Sequence, residues 1–153
     1  FVNHFQVIHL TGNKPFEKEV RKAYEKLNLR AFVASFESQM DLVWTAADLT
    51  ISRAGACSIA EMVEFEVPAI LVPYPSSSEN HQVENANFLA NEIRGGVVLE
   101  EEHLDGKKLA QIIKQLIHND RKLINEMKES LREYKMQKKT RDLRSIVYEI
   151  IGD

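Results

Sequence analysis

One cysteine, one tryptophan, four prolines and six glycines are all that 153 residues contain of these types, and each scarcity removes a class of protein. Cys57 alone cannot close an internal disulfide, which excludes a disulfide-stapled scaffold and fits a reducing compartment. Glycine and proline are too few for a collagen-like or low-complexity chain. With 44% hydrophobic and 28% charged residues, the chain has the balance of one globular domain that buries a core. No apolar run approaches the roughly 20 residues that span a bilayer, and the N-terminus lacks a basic stretch followed by an apolar one. A basic excess is missing as well: the formal net charge is −3, which argues against a nucleic-acid partner. That small total hides an asymmetry. Residues 1–106 carry 8 Lys/Arg against 16 Asp/Glu (−8), whereas residues 107–153 carry 12 against 7 (+5).

What is present is an alternation of short apolar runs and amphipathic stretches. Phe5 to Leu10 reads as a buried strand closed by the turn Thr11-Gly12-Asn13. Pro15 opens a helix on which Phe16, Val20, Ala23, Tyr24 and Leu27 recur every three to four residues. Strands follow at 31–35, 48–52, 69–73 and 97–99, separated by helices at about 40–47, 56–65 and 81–93. This order predicts an α/β fold with a Rossmann-like parallel sheet covered on both faces. After Asp105 no strand pattern remains, and three helical stretches are expected at about 106–118, 120–136 and 140–151. The organisation expected is therefore an α/β core over residues 1–105 with a helical tail of the same domain over 106–153.

In an open parallel sheet, ligands bind beyond the carboxyl ends of the strands, so the loops that follow strands are where chemistry belongs. Ser52-Arg-Ala-Gly-Ala56 leads from the third strand into a helix. Its small residues admit a ligand to the backbone, and the helix start offers free N–H groups and a positive dipole end to a phosphate. A tight strand-to-helix turn uses glycine too, and the spacing is neither the dinucleotide fingerprint nor a P-loop. Glu61 lies one turn further along that helix, either as a surface charge or as an acceptor for two ribose hydroxyls. The segment from Pro73 to Ala86 is dense in neutral donors and acceptors, including Asn80, His81, Gln82 and Asn85. That chemistry suits sugar hydroxyls or a solvated, capped loop. His4, His9, His103 and His118 are scattered among unrelated segments, so no metal site is expected.

Taken together, Ile51-Ser-Arg-Ala-Gly-Ala56 with Glu61, Val67-Pro-Ala-Ile-Leu-Val-Pro73 and Asn80-His-Gln-x-x-Asn-Ala86 resemble the C-terminal half of the MurG-type N-acetylglucosaminyltransferases of glycosyltransferase family 28. His9-x-Thr-Gly12 and Phe36-x-x-x-Met40 resemble the same pattern, so the likeness covers roughly residues 5–100. The resemblance implies one half of a GT-B fold that binds the donor UDP-GlcNAc, an inverting transfer of GlcNAc to the MurNAc of lipid I, and no cofactor. It also implies roles. Gly55, Ala56, Cys57 and Ser58 would face the diphosphate and Glu61 the ribose. Phe36, Glu37 and Met40 would receive uracil, and Asn80, His81, Gln82 and Asn85 the GlcNAc. Arg53 belongs to the motif, either on the ligand or bracing the loop.

Two residues depart from the family pattern: Cys57 replaces a larger apolar or hydroxyl residue, and Glu37 puts an acid beside the expected uracil position. The family's first strand and its glycine-rich loop have no counterpart here. The general base, the lipid I surface and the membrane contact are expected in an N-terminal half, present in cis or supplied by a partner subunit in trans. The chain alone is thus expected to be inactive, working in the cytoplasm or at the cytoplasmic face of the membrane. Alternatives are a non-catalytic UDP-sugar-binding subunit of a split transferase, another GT-B sugar transferase, or a related epimerase. Leu143, Ile146, Val147, Ile150 and Ile151 would form one apolar helix face for packing, with the Lys and Arg of the tail solvated.

Overall fold

The computed structural model describes residues 5–75, 80–137 and 149–151. It divides into two compact units, Phe1–Ala46 and Ala47–Asp153. The first holds β1 (Gln6–Leu10), α1 (Lys14–Lys26), β2 (Arg30–Ala34) and α2 (Met40–Ala46). β1 and β2 pair in parallel from Gln6↔Arg30 to Leu10↔Ala34, the geometry a helical crossover imposes. Gly12, at φ +66°, turns the chain out of β1 in a conformation a side chain would resist. Pro15 sits in the first turn of α1, where a missing N–H does no harm. Glu17 of α1 accepts the Ser35 N–H at 3.2 Å, and Arg21 donates to the Val33 carbonyl at 2.6 Å, which fastens the helix along β2.

The second unit holds β3 (Thr50–Ser52), α3 (Ala56–Glu64), β4 (Ala69–Leu71), α4 (His81–Asn87), β5 (Gly96–Val98) and α5 (Gly106–Gln137). Its sheet is parallel in the order β3-β4-β5. β4 is the central strand, and Ala69, Ile70 and Leu71 are fully buried, as a strand covered on both faces must be. Ile70, Val72, Leu99, Leu116 and Ile124 form the core, with Leu109, Ile112, Ile113 and Met127 of α5 packed against it. Each of the larger side chains gains about 1.5–3 kcal/mol from leaving water. Gly96 is required by close approach: a Cβ there would stand 2.7 Å from the Ala69 carbonyl oxygen.

The expected alternation is present, with one local difference in α4 and a break in α5 where the sequence places it. The helix expected through Ile93 is α4 only to Asn87, after which Phe88–Glu92 winds into a wider π-type turn. α5 breaks between its expected halves, where Asn119, Asp120 and Arg121 take φ of 50°, 54° and 64°. Asn and Asp tolerate the left-handed region, whereas Arg121 occupies it at a cost. Its guanidinium lies 2.7 Å from the Asp48 carboxylate. The hydrogen bond from Arg121 holds Asp48 below the usual carboxylate range, helped by the Arg121 and Lys128 charges against the opposing effect of desolvation.

The change of charge near residue 106 is not a boundary between units. Arg121 and Lys128 pair with Asp48, Arg132 with Glu66 and Lys135 with Glu64, all within the second unit. Lys135 also donates to the Glu64 carbonyl at 2.6 Å, at the negative end of α3. α5 starts on a side-chain cap, in which the Asp105 carboxylate accepts the Lys108 N–H at 2.7 Å. Leu143, Ile146 and Val147 of the expected apolar face lie outside the described residues, while Ile150 and Ile151 are exposed. Among the described residues no helix is long and apolar enough to cross a membrane.

Candidate functional site

The loop from β3 to α3 lies beyond the carboxyl end of the sheet in the second unit, and its backbone determines what it can bind. Gly55 precedes α3 with φ −68° and ψ 145°, and its carbonyl accepts the Ile59 N–H at 2.9 Å as the first helical hydrogen bond. The N–H groups of Ala56, Cys57 and Ser58 therefore head the helix with no carbonyl of a preceding turn to accept them. They carry the positive end of the dipole, worth about half an elementary charge. Gly55 itself is informative. Its φ suits any residue, and a Cβ would meet only Ser58 Oγ, at an ordinary 3.9 Å. Among the described residues nothing crowds a side chain at this position.

Two side chains fix this loop, and a third ties together the segments beside it. Arg53 donates to the Val72 carbonyl at 3.2 Å and to Glu101 Oε1 at 2.6 Å, and its guanidinium stands over the Tyr74 ring, 5.3 Å from the centroid. Asn85 of α4 donates through Nδ2 to the Ala54 carbonyl at 2.9 Å, leaving Oδ1 for other partners. Gln82 accepts the Tyr74 N–H at 3.0 Å, tying the start of α4 to the segment after β4. The motif after β4 and the loop after β3 are thus brought into one constellation.

The remaining expected residues fall as follows. Cys57 is an exposed thiol in the first turn of α3. Glu61 is half-buried one turn on, and its carboxylate takes no hydrogen bond or ion pair from the described residues. Asn80 stands at the start of α4 with φ 57°, and His81 follows, exposed, with Nδ1 3.9 Å from Glu84 Oε2. Ser76 to Glu79, part of the polar loop singled out in the sequence, lie outside the described residues.

Phe36, Glu37 and Met40 belong to the first unit and are described within it. Phe36 is exposed. The Glu37 carboxylate accepts the Gln39 N–H at 2.9 Å, so this acid is spent on the chain entering α2. Also in this unit, His9 Nδ1 lies 3.0 Å from the Tyr24 hydroxyl, whose pKa is pushed up by burial.

Sequence reasoning missed Glu101 and Tyr74. Tyr74 lies between two prolines, a weak hint of a fixed turn, and Glu101 is the middle of three consecutive glutamates with nothing local to single it out. A cleft of about 700 Å³ in the second unit is lined by Asn87, Glu100, Glu102, His103, Asp105 and Lys108 among others. Three carboxylates against one lysine make it a poor host for a diphosphate. Glu100, Glu102 and His103 place ligand atoms within 4.8 Å of one another, but all three are exposed, and exposed acidic groups commonly sit together without an ion.

Comparison with known proteins gives this geometry a family. A UDP-N-acetylglucosamine–N-acetylmuramyl-(pentapeptide) pyrophosphoryl-undecaprenol N-acetylglucosamine transferase of Protochlamydia amoebophila is 38% identical over 130 residues, covering 85% of this chain and 34% of the relative. The transferase of the same name from Desulforamulus reducens is 37% identical over 131 residues, covering 82% and 35%. The crystal structure of Acinetobacter baumannii MurG superposes with a TM-score of 0.75 at 29% identity, over 85% of this chain and 37% of that one. The chain therefore spans about a third of the length of these relatives. Its fold is the Rossmann-like α/β arrangement of one GT-B half with a helical C-terminal region. Residues 2–144 match the model of the glycosyltransferase family 28 C-terminal domain, and the chain belongs to that family.

Proposed function

We propose that the chain is the donor-binding half of a transferase that moves GlcNAc from UDP-GlcNAc to the MurNAc of lipid I, in peptidoglycan synthesis. The observation that carries this reading is the head of α3: three N–H groups with no partner among the described residues, behind a glycine that none of those residues crowds. Such a site holds a diphosphate and neutralises the charge that grows on UDP as it leaves, with helix-end dipoles doing what a divalent cation does elsewhere. Ala56, Cys57 and Ser58 supply the amides and Glu61 accepts the ribose hydroxyls. His81, Gln82, Asn80 and the free Oδ1 of Asn85 serve the GlcNAc. Phe36, Glu37 and Met40 keep the uracil role, read through main-chain groups because the Glu37 carboxylate is already engaged.

Residues 1–105 act as the nucleotide-sugar core and 106–153 as its helical tail. The general base and the lipid I surface come from the other half, in cis or from a partner subunit, at the cytoplasmic face of the membrane. Titrating the isotope-labelled chain with UDP and UDP-GlcNAc tests the reading. Amide shifts at Ala56, Cys57 and Ser58 that saturate by millimolar ligand are expected, with no GlcNAc transfer by the chain alone. Absence of any shift at those amides would refute it.

A further inference from the structure

Arg53 adjoins amides suited to a diphosphate, where a guanidinium would ordinarily bind phosphate itself. Its charge is engaged elsewhere. One nitrogen donates to the Val72 carbonyl just beyond β4, another reaches Glu101 beyond β5 at 2.6 Å, and Tyr74 lies beneath the plane. From the other side Asn85 holds the Ala54 carbonyl. The short loop between β3 and α3 is thus anchored to the segments that follow β4 and β5 and to α4.

We propose that Arg53 is a positioning residue and that Glu101 makes it one. The carboxylate draws the guanidinium away from the donor and ties the loop backbone to the ends of two neighbouring strands. The N–H groups of Ala56, Cys57 and Ser58 then keep their aim before any ligand arrives. Donors fixed in advance bind an anion without an ordering cost, which is how a half-exposed ion pair acquires an effect on affinity. This inference rests on the donor-site reading for its consequence, though not for the anchoring itself. The competing arrangement has Arg53 swing onto the phosphates, with Glu101 as its rival for the guanidinium. The two arrangements predict opposite signs for one substitution.

Glu101→Gln keeps the shape of the side chain and removes its charge. In the ligand-free chain, 15N relaxation is expected to show order parameters at Ala54–Ser58 falling from about 0.85 toward 0.6, while β3 and β4 stay rigid. With ligand, calorimetry is expected to show UDP affinity reduced about threefold to fivefold, the scale of a partly exposed ion pair, and uridine affinity unchanged. Glu101→Asp, which restores the charge on a shorter arm, should recover part of both effects. Unchanged loop order would overturn the proposal. So would tighter UDP binding by Glu101→Gln, because it would mean that the released Arg53 binds phosphate. A parallel fall in UDP and uridine affinity with reduced unfolding stability would also overturn it, by reducing Glu101 to general support. Should the unmodified chain bind no UDP at millimolar concentration, the donor-site reading fails, and loop order still decides the anchoring.

Discussion

Replacing Gly55 by alanine separates what the fold needs from what a ligand needs. In the free protein the added methyl meets Ser58 Oγ at 3.9 Å, and φ of −68° is ordinary for alanine. Alanine is a poorer residue than glycine immediately before a helix, by about 0.5–1 kcal/mol. The stiffer unfolded chain returns about 0.4–1 kcal/mol. The two nearly cancel, so urea unfolding of Gly55→Ala should match the unmodified chain to within about 1 kcal/mol. If the proposed donor site is correct, a diphosphate seated on the amides of α3 is expected to be crowded by the methyl. Losing or lengthening one charged hydrogen bond there costs about 1.5–3 kcal/mol. Calorimetry should therefore show UDP affinity falling roughly tenfold to a hundredfold. Uridine, lacking phosphates, should bind both proteins alike. UDP affinity within twofold of the unmodified chain, at preserved stability, would refute the reasoning. So would a stability loss above about 2 kcal/mol, since it would show that the fold itself required glycine.

Gly96→Ala should behave in the opposite way: its methyl would press on the Ala69 carbonyl oxygen at 2.7 Å in the central strand, and urea unfolding should show a loss of about 1–3 kcal/mol. Leu131→Ala removes a fully buried side chain and should destabilise by about 2–5 kcal/mol in the same assay. Because Cys57 is exposed in the first turn of α3, saturating UDP should slow its alkylation by iodoacetamide, whereas uridine should protect it less. Asp48 is held below its unfolded pKa by Arg121, so its pairing stabilises the fold above the ordinary carboxylate range and is lost as pH falls through the folded-state value. The pair is largely exposed, so the effect is about 0.2–1 kcal/mol. Asp48→Asn should show a correspondingly shallower loss of stability between pH 5 and about 3.

The sequence by itself determined the order of elements, because apolar periodicity and turn residues act over a few residues. The run Ala69-Ile-Leu, buried throughout, and the helix starts at Pro15, Ala56 and Gly106 were legible in this way. The break near residue 119 was legible too, whereas the π-type turn at Phe88–Glu92 was not, since an amphipathic pattern does not reveal how tightly a helix is wound. The motif around Arg53 and Gly55 was legible as a tight turn into a helix start, because a helix start is a local feature.

Only the tertiary structure decided which groups meet. The side-chain bond from Asn85 to Ala54 spans 31 residues and the pair of Arg53 with Glu101 spans 48, distances over which sequence spacing carries no information. It also decided what the charge asymmetry is for. An acidic first part and a basic end look like separate surfaces in a linear reading. In the fold, Arg121, Lys128, Arg132 and Lys135 meet Asp48, Glu64 and Glu66, because α5 runs back along residues that precede it by some 70 positions. Composition fixes how many charges of each sign exist, while the path of the chain fixes which of them are neighbours.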